Sequence, residues 1–379
     1  MLNNLTIFMY KFQDKGAYSM QTVKTNQLKE GMVTAAPVTT KKGLPVVDAG
    51  ILLNNALIAR IAFYDIDQVT VEDFAEPKED EDESIFEPTY SQRVTSSPEF
   101  GKFQEDYSRS VDNLKQSISS ILSERTLPGE SQLAQLIQPL LAGAPSSLQM
   151  FDFLHNMRAI DDTIYAHSIN VALISNMLGK WLKLSDSDLE VLTAAALLHD
   201  IGKTKIPVEI LNKPGKYTDE EFALVKKHPF FGHEILQSFA SLDPRIKNSA
   251  LMHHERCDGH GYPQGLKHCE IDDFAQIIAI ADVYDAMTAA RAYRAGLCPF
   301  QVIADFEIEG LQKYHPKYIL TFLERIAYTY QNNRVLLSNG RSANIIMLNK
   351  QFLSRPIVGV KGGTIDLSKT PDLYIQSLL

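Results

Sequence analysis

The chain is short of cysteine, nearly devoid of tryptophan and carries no surplus of positive charge. Its three cysteines, Cys257, Cys269 and Cys298, lack the paired spacing of a zinc ribbon or a disulfide-stapled secreted domain. They suit a reducing cytoplasm, which is the expected location. With 37 basic against 46 acidic residues the formal charge is −9, and nonspecific partners such as DNA, RNA or an anionic membrane need a basic face. No nucleic-acid polymer is expected as a partner, although a local basic pocket is still allowed. No stretch approaches the roughly 20 apolar residues that span a bilayer, so no membrane insertion is expected. The apolar run from Leu5 to Tyr10 is too short for a signal peptide, and no small-residue cleavage site follows it. Residues 1–19 read as a disordered leader or an over-extended start and are assigned no function.

The 379 residues leave room for two or three domains. Residues 20–72 alternate short apolar runs with turn residues, the pattern of a small β-rich module with one helix. An acidic run follows, and residues 73–97 read as a flexible linker, because such a composition cannot bury enough surface to fold alone. Residues 98–331 are helical in pattern. Phe103, Tyr107, Val111, Leu114, Ile118, Ile121 and Leu122 fall at spacings of three and four. That stripe fits a core-packing helix better than a coiled-coil or signal-relay helix, and it leaves a homodimer open. Further helices are expected over 130–141, 146–156, 161–182 and 186–199, the last capped by Ser185. Residues 332–379 change to short β runs joined by Asn339-Gly340 and Gly362-Gly363 turns, a C-terminal β extension. The fold class is mainly α: a helical bundle with a small β-rich module before it and a β extension after it.

The run His199-Asp200-Ile201-Gly202-Lys203, followed by His228-Pro229, His253-His254-Glu255 and Asp282, reads as a metal site. Imidazole and carboxylate hold iron, manganese or zinc, and a carboxylate beside a histidine can bridge two ions. The apolar run 194–198 delivers His199 and Asp200 to a cavity floor. Asp200 can offer one oxygen to each ion, and Lys203 lies one turn on, on the same face, where its ammonium could hold a phosphate oxygen. His228 precedes a proline and so stands in an extended or helix-entry conformation, able to point across the bundle. His253 and His254 point about 100 degrees apart on a helix, so that one can face each ion. Asp258-Gly259-His260-Gly261-Tyr262-Pro263 is a loop by composition, with His260 read as exposed and Asp258 as ordering the turn. Asp282 and Asp285 share a helical face.

These elements, with His167 in HSINVALIS, His228-Pro229-Phe230-Phe231-Gly232, HHERCDGHGYPQGL and ADVYDAMTAA, closely resemble the HD-GYP family, from about residue 165 to 316. The family consists of HD-type helical bundles in bacteria that hydrolyse cyclic di-GMP. The resemblance implies a seven-ligand set for two metals: His167, His199, Asp200, His228, His253, His254 and Asp282. Some members bind a third metal through a glutamate four residues before the first histidine, where this chain has Thr163, so two divalent ions are expected. Iron or manganese is favoured, since the set lacks the thiolate that suits zinc. By the same resemblance Asp200 and a metal-bridging hydroxide carry the chemistry, with Lys203 stabilising phosphate charge. Tyr262 is placed against substrate. Asp285 contacts guanine or supports a ligand from behind, and Arg291 and Arg294 contact bases or phosphates. The product would be pGpG, with GMP after a second cut. Segments around Gly31 and Asp48 also resemble an N-terminal module common in the family.

Departures from the pattern are Ala290 and Ala292 around Arg291, His268 in place of a glycine, and His315 in place of an acidic residue. The last puts a helix cap in doubt. Two other readings stay open: hydrolysis of a different cyclic dinucleotide or nucleotide, and a low-turnover effector that binds cyclic di-GMP and signals through its β segments.

Overall fold

The computed structural model describes residues 20–29, 32–40, 45–47, 49, 51, 53, 57–58, 61–62, 64, 66–72, 90–157, 163–213, 215–289 and 296–379. The leader at 1–19, the acidic run at 73–89, Asp48, and the two arginines Arg291 and Arg294 lie outside them. The chain divides into two compact units, residues 1–87 and 88–379.

In the first unit Met20–Lys24 pairs antiparallel with Gln68–Glu72, and Val38–Thr39 pairs antiparallel with Pro45–Val47. Alternation puts Val69 and Val71 on one face, where they meet Leu28, Val38, Val46, Val47, Leu53 and Ile61 in a small apolar core. Thr34 is fully buried there, its hydroxyl accepting the Ile51 N–H at 2.9 Å.

The second unit is helical. Ser97 caps the long helix Pro98–Ser123 by accepting the Phe100 N–H, and Pro98 suits the first turn, where its missing N–H costs nothing. The stripe from Phe103 to Ile121 is buried within its own chain, so core packing is how this helix uses it, while Leu122, expected with them, is exposed. The helix expected over 130–141 is two helices, Glu130–Gln135 and Gln138–Gly143, because Pro139 has no N–H to continue the ladder. The expected linker also ends early. Residues Tyr90–Thr95 form a helix, and its Val94 packs against the main core.

Ile164–Trp181 runs through the centre of the bundle with both faces buried, and its neighbours are Asp186–Leu198 and Asp273–Thr288. Thr163 caps it, so the helix begins three residues later than the expected 161. Ser185 caps Asp186–Leu198 as expected, with Asp186 and Asp188 placed favourably in its first turn. Each fully buried Leu or Ile along these helices contributes roughly 1.5–3 kcal/mol against exposure.

The C-terminal strands form one five-stranded antiparallel sheet in the order Gly363–Asp366, Ile357–Val360, Ser342–Met347, Arg334–Leu337, Ile375–Leu378. Val335, Leu337, Ile345, Val358 and Ile375 join the same core as the helices. The change at residue 332 is therefore one of element type and not of core. Glu307, on the helix Pro299–Lys313, fastens the two together by accepting the Leu353 and Ser354 N–H groups and the Ser354 hydroxyl. No helix among the described residues is long and apolar enough to cross a membrane, and all three cysteines are free.

Candidate metal centre

Five helices meet at the site. His167 stands in the first turn of Ile164–Trp181, and His199 and Asp200 follow the last turn of Asp186–Leu198. His228 opens His228–Gln237, His253 and His254 close Pro244–Met252, and Asp282 and Asp285 sit on Asp273–Thr288. A short turn of 3-10 helix, Ile201–Lys205, carries the chain from Asp200 towards His228–Gln237. A Cβ on Gly202 would lie 2.0 Å from the His228 carbonyl oxygen, so only glycine permits the contact that sets Asp200 beside His228.

The seven residues fall into two groups of donor atoms. Asp200, His228, His253 and His254 form one, and His167, His199 and Asp282 the other, each with its atoms within 4.8 Å of one another. Asp200 belongs to both in effect. Its Oδ1 lies 3.2 Å from His228 Nε2 and 3.7 Å from His253 Nε2, while Oδ2 lies 3.3 Å from His199 Nε2 and 3.7 Å from His167 Nε2. Lys203 Nζ reaches Oδ2 at 2.5 Å.

Backbone carbonyls set the tautomers. Nδ1 of His199 donates to Ala196, that of His228 to Val225 and that of His253 to Ser249, at 2.7, 2.7 and 3.0 Å. With Nδ1 protonated, the neutral rings turn Nε2 lone pairs inward. His228 Nε2 and His253 Nε2 then face each other at 3.2 Å, which is repulsive unless a cation lies near both. His199 Nε2 and Asp200 Oδ1 are buried with no hydrogen-bond partner. Orphaned acceptors in a dry site are costly, and a divalent ion satisfies them. The donor set fits two such ions.

Electrostatics point the same way. Burial, reinforced by His199 and His228, lowers the His253 pKa to about 4, and burial with His253 pushes His254 well below the usual range. Both rings are neutral at pH 7. For His167 burial also favours the neutral ring, but hydrogen bonds to Asp282 and Asp285 outweigh it and lift the pKa to about 10. Burial would raise Asp200, yet Lys203 and His199 hold it well below the carboxylate range. Asp282 is held low against burial by His167.

Asp285 is almost fully buried, and its Oδ2 takes the His167 Nδ1 at 2.8 Å. Tyr262 stacks on His254, with ring centroids 4.6 Å apart, and its N–H donates to the His254 carbonyl. Burial, with Asp282 and Asp200, pushes the phenol up, so it keeps its proton as a donor.

A family model for the HD domain matches residues 144–318. The matched segment contains all the helices that carry the candidate metal centre. The chain is 35% identical over 207 residues to a cyclic di-GMP phosphodiesterase of Pseudomonas aeruginosa, covering 55% of this chain and 50% of that protein. It is 36% identical over 180 residues to a cyclic di-GMP phosphodiesterase of Thermotoga maritima, covering 47% and 48%. A 3′3′-cGAMP-specific phosphodiesterase of Vibrio cholerae is 38% identical over 160 residues, covering 42% of this chain and 31% of that one. The chain thus spans about half the length, or less, of these curated relatives.

One residue was quoted in the sequence reading without a role of its own. Glu255 is buried, and its carboxylate accepts the N–H groups of Gln264, Gly265 and Leu266 at 2.7, 3.2 and 3.0 Å. It pins the far side of the Tyr262 loop. The signal available was an acidic residue directly after two histidines and before a glycine-rich loop, whose free N–H groups need an acceptor. Asp258 orders the same loop through the His260 N–H and Arg256, and His260 is exposed. His315 keeps the cap that its identity put in doubt: its Nδ1 accepts the Lys317 N–H at 3.1 Å, at the start of Pro316–Thr329.

Proposed function

We propose that the chain is a metal-dependent phosphodiesterase that hydrolyses cyclic di-GMP to pGpG, with GMP as the product of a second cut. The observation that carries this is the carboxylate of Asp200, which turns one oxygen to each of two nitrogen-and-oxygen donor groups. Two divalent ions in those groups would supply Lewis-acid charge for the phosphoryl oxygens and acidify a water molecule to a nucleophile near neutral pH. His167, His199 and Asp282 would hold one, and His228, His253 and His254 the other, with Asp200 shared. Asp285 holds His167 in register through Nδ1. Lys203, beside Asp200 Oδ2, places an ammonium where charge gathers on the phosphate. Tyr262 keeps its phenolic proton and can donate it as a hydrogen bond to substrate. Arg291 and Arg294 are assigned to the guanine bases or phosphates on the family resemblance. Iron or manganese is the assigned metal, because neither group includes a thiolate. The site of action would be the cytoplasm.

The names of the P. aeruginosa and T. maritima relatives support this substrate. The name of the V. cholerae relative supports a second reading, a different cyclic dinucleotide. The test is anaerobic incubation of iron- or manganese-loaded protein with cyclic di-GMP and 3′3′-cGAMP in competition, with chromatography of pGpG and GMP. Asp200→Ala is expected to lower both metal content and rate, the rate by at least ~100-fold, since losing even a residue behind a ligand costs 10–100-fold. Preferred cleavage of 3′3′-cGAMP would select the second reading. Metal-loaded protein that binds cyclic di-GMP and forms no product would replace both by a binding effector.

A further inference from the structure

Three lysines between Asp200 and His228 pair with carboxylates. Lys203 pairs with Asp200, Lys205 with Glu234 and Lys213 with Glu221. Lys226, two residues before His228, has no carboxylate or hydrogen-bond partner among the described residues. Its Nζ is held instead over two aromatic rings, 5.3 Å from the centre of Phe222 and 5.1 Å from that of Tyr262. Tyr262 in turn stacks on the ligand His254. Attraction to a ring face fixes an ammonium in place without cancelling its charge. In a chain with a formal charge of −9, this leaves a positioned cation one stacked ring away from His254.

A cyclic dinucleotide has two phosphodiesters on opposite sides of its ring. The metal centre and Lys203 provide for the one being cut. We infer that Lys226 holds the other, uncut phosphate, and so selects two-phosphate rings over simple phosphodiesters. This rests on the function proposed above. Half-buried between two rings, the ammonium loses little water and little side-chain freedom when a phosphate arrives, which favours a charge-assisted contact. Phe222, about half exposed, completes the seat on the solvent side.

The test compares Lys226→Met, which keeps the length of the side chain and removes its charge, with Lys226→Arg and with the unsubstituted chain. Two substrates are used: cyclic di-GMP and bis(p-nitrophenyl) phosphate, which has one phosphate only. Lys226→Met is expected to raise KM for cyclic di-GMP by ~10-fold or more with kcat little changed, a charge-assisted contact being worth about one factor of ten or more. The rise should be several times larger than for the one-phosphate substrate, and Lys226→Arg should recover most of it. Equal losses on both substrates would mean that Lys226 acts only by bracing Tyr262, and would overturn the inference, as would no change on either. Cyclic di-GMP binding by the same variants separates this inference from the proposed activity. Unsubstituted chain that binds without cutting, with binding weakened ~10-fold by Lys226→Met, retires the activity and keeps the phosphate contact. No binding by the unsubstituted chain overturns both.

Discussion

The two halves of the metal centre are built differently. In the half formed by His228, His253 and His254, the rings of His228 and His253 are oriented by backbone carbonyls, and burial keeps His253 and His254 free of protons. In the half formed by His167, His199 and Asp282, His167 lies between two carboxylates, Asp282 at 3.0 Å and Asp285 at 2.8 Å, and holds a proton strongly. The first half is ready to accept a cation at neutral pH. The second must give up a proton when a cation enters, so its occupancy is linked to pH where the other is not. Asp282 on Nε2 and Asp285 on Nδ1 thus set His167 apart from the carbonyl-held rings, His199 in its own half included.

The largest effect that would break this comparison is on stability. In the metal-free chain an unfolded histidine binds a proton below about 6.5, whereas folded His253 does so only near 4. Between those values the unfolded state carries more protons, so stability falls as pH falls, by about 3 kcal/mol over the window for this residue. His254 acts in the same direction. His167 acts oppositely: its folded pKa near 10 gives stability that is complete below about 6.5 and is lost as pH rises towards 10. Thermal unfolding in a chelator should therefore show a maximum near pH 6.5, with losses on both sides. Saturating manganese should flatten the alkaline side, because the ion takes the place of the His167 proton. A metal-free profile that is flat from pH 4 to 6.5 would remove the distinction between the halves.

A smaller effect sharpens it. Asp285→Asn keeps the size of the side chain but replaces the carboxylate behind His167 by an amide. Metal affinity is expected to fall ~10–100-fold, about 1.4–2.7 kcal/mol, in the second half alone. At limiting metal the content should drop from about two ions per chain to about one, read by elemental analysis. The proton released by the second ion should become smaller in calorimetry across buffers. Equal losses at both ions would show that Asp200 couples the halves too tightly for their outer partners to matter separately.

The helical frame and the meeting of His199, Asp200, His253 and His254 were legible because their signals are local, whereas His167 was singled out only through the family resemblance. A histidine beside an aspartate at the end of an apolar helix, or two adjacent histidines after one, has its geometry set within a few residues. Other features depend on partners distant in sequence and left weaker traces. Asp285 shares a helical face with Asp282, but its contact with His167 spans the bundle. Glu255 is defined by three backbone donors in a loop whose path the sequence does not give. The break at Pro139 was a local signal that the apolar periodicity of 130–141 obscured. The joining of the C-terminal sheet to the helical core depends on Glu307 and on inward-facing residues such as Val335 and Ile375, whose partners no periodicity reveals.

The smallest effect comes from a histidine that is not a ligand. His315 lies next to His268, ring centroids 4.5 Å apart, so a second imidazole pair exists in the same unit. Its chemistry is the reverse of that in the metal centre: Nδ1 accepts the Lys317 N–H, so in the neutral ring the proton sits on Nε2 and no lone pair is left to face a cation. The ring does the work of an aspartate cap. His315→Ala should cost about 0.5–1 kcal/mol, the usual loss of a cap, and lower the unfolding temperature slightly while metal content stays unchanged. His315→Asp should restore the loss, since a carboxylate accepts the same N–H and also suits the positive end of the helix. If His315→Ala instead reduced metal content, imidazole pairing alone would suffice to bind a cation here. The tautomer set by Nδ1 would then not be what separates a ligand histidine from a structural one in this chain.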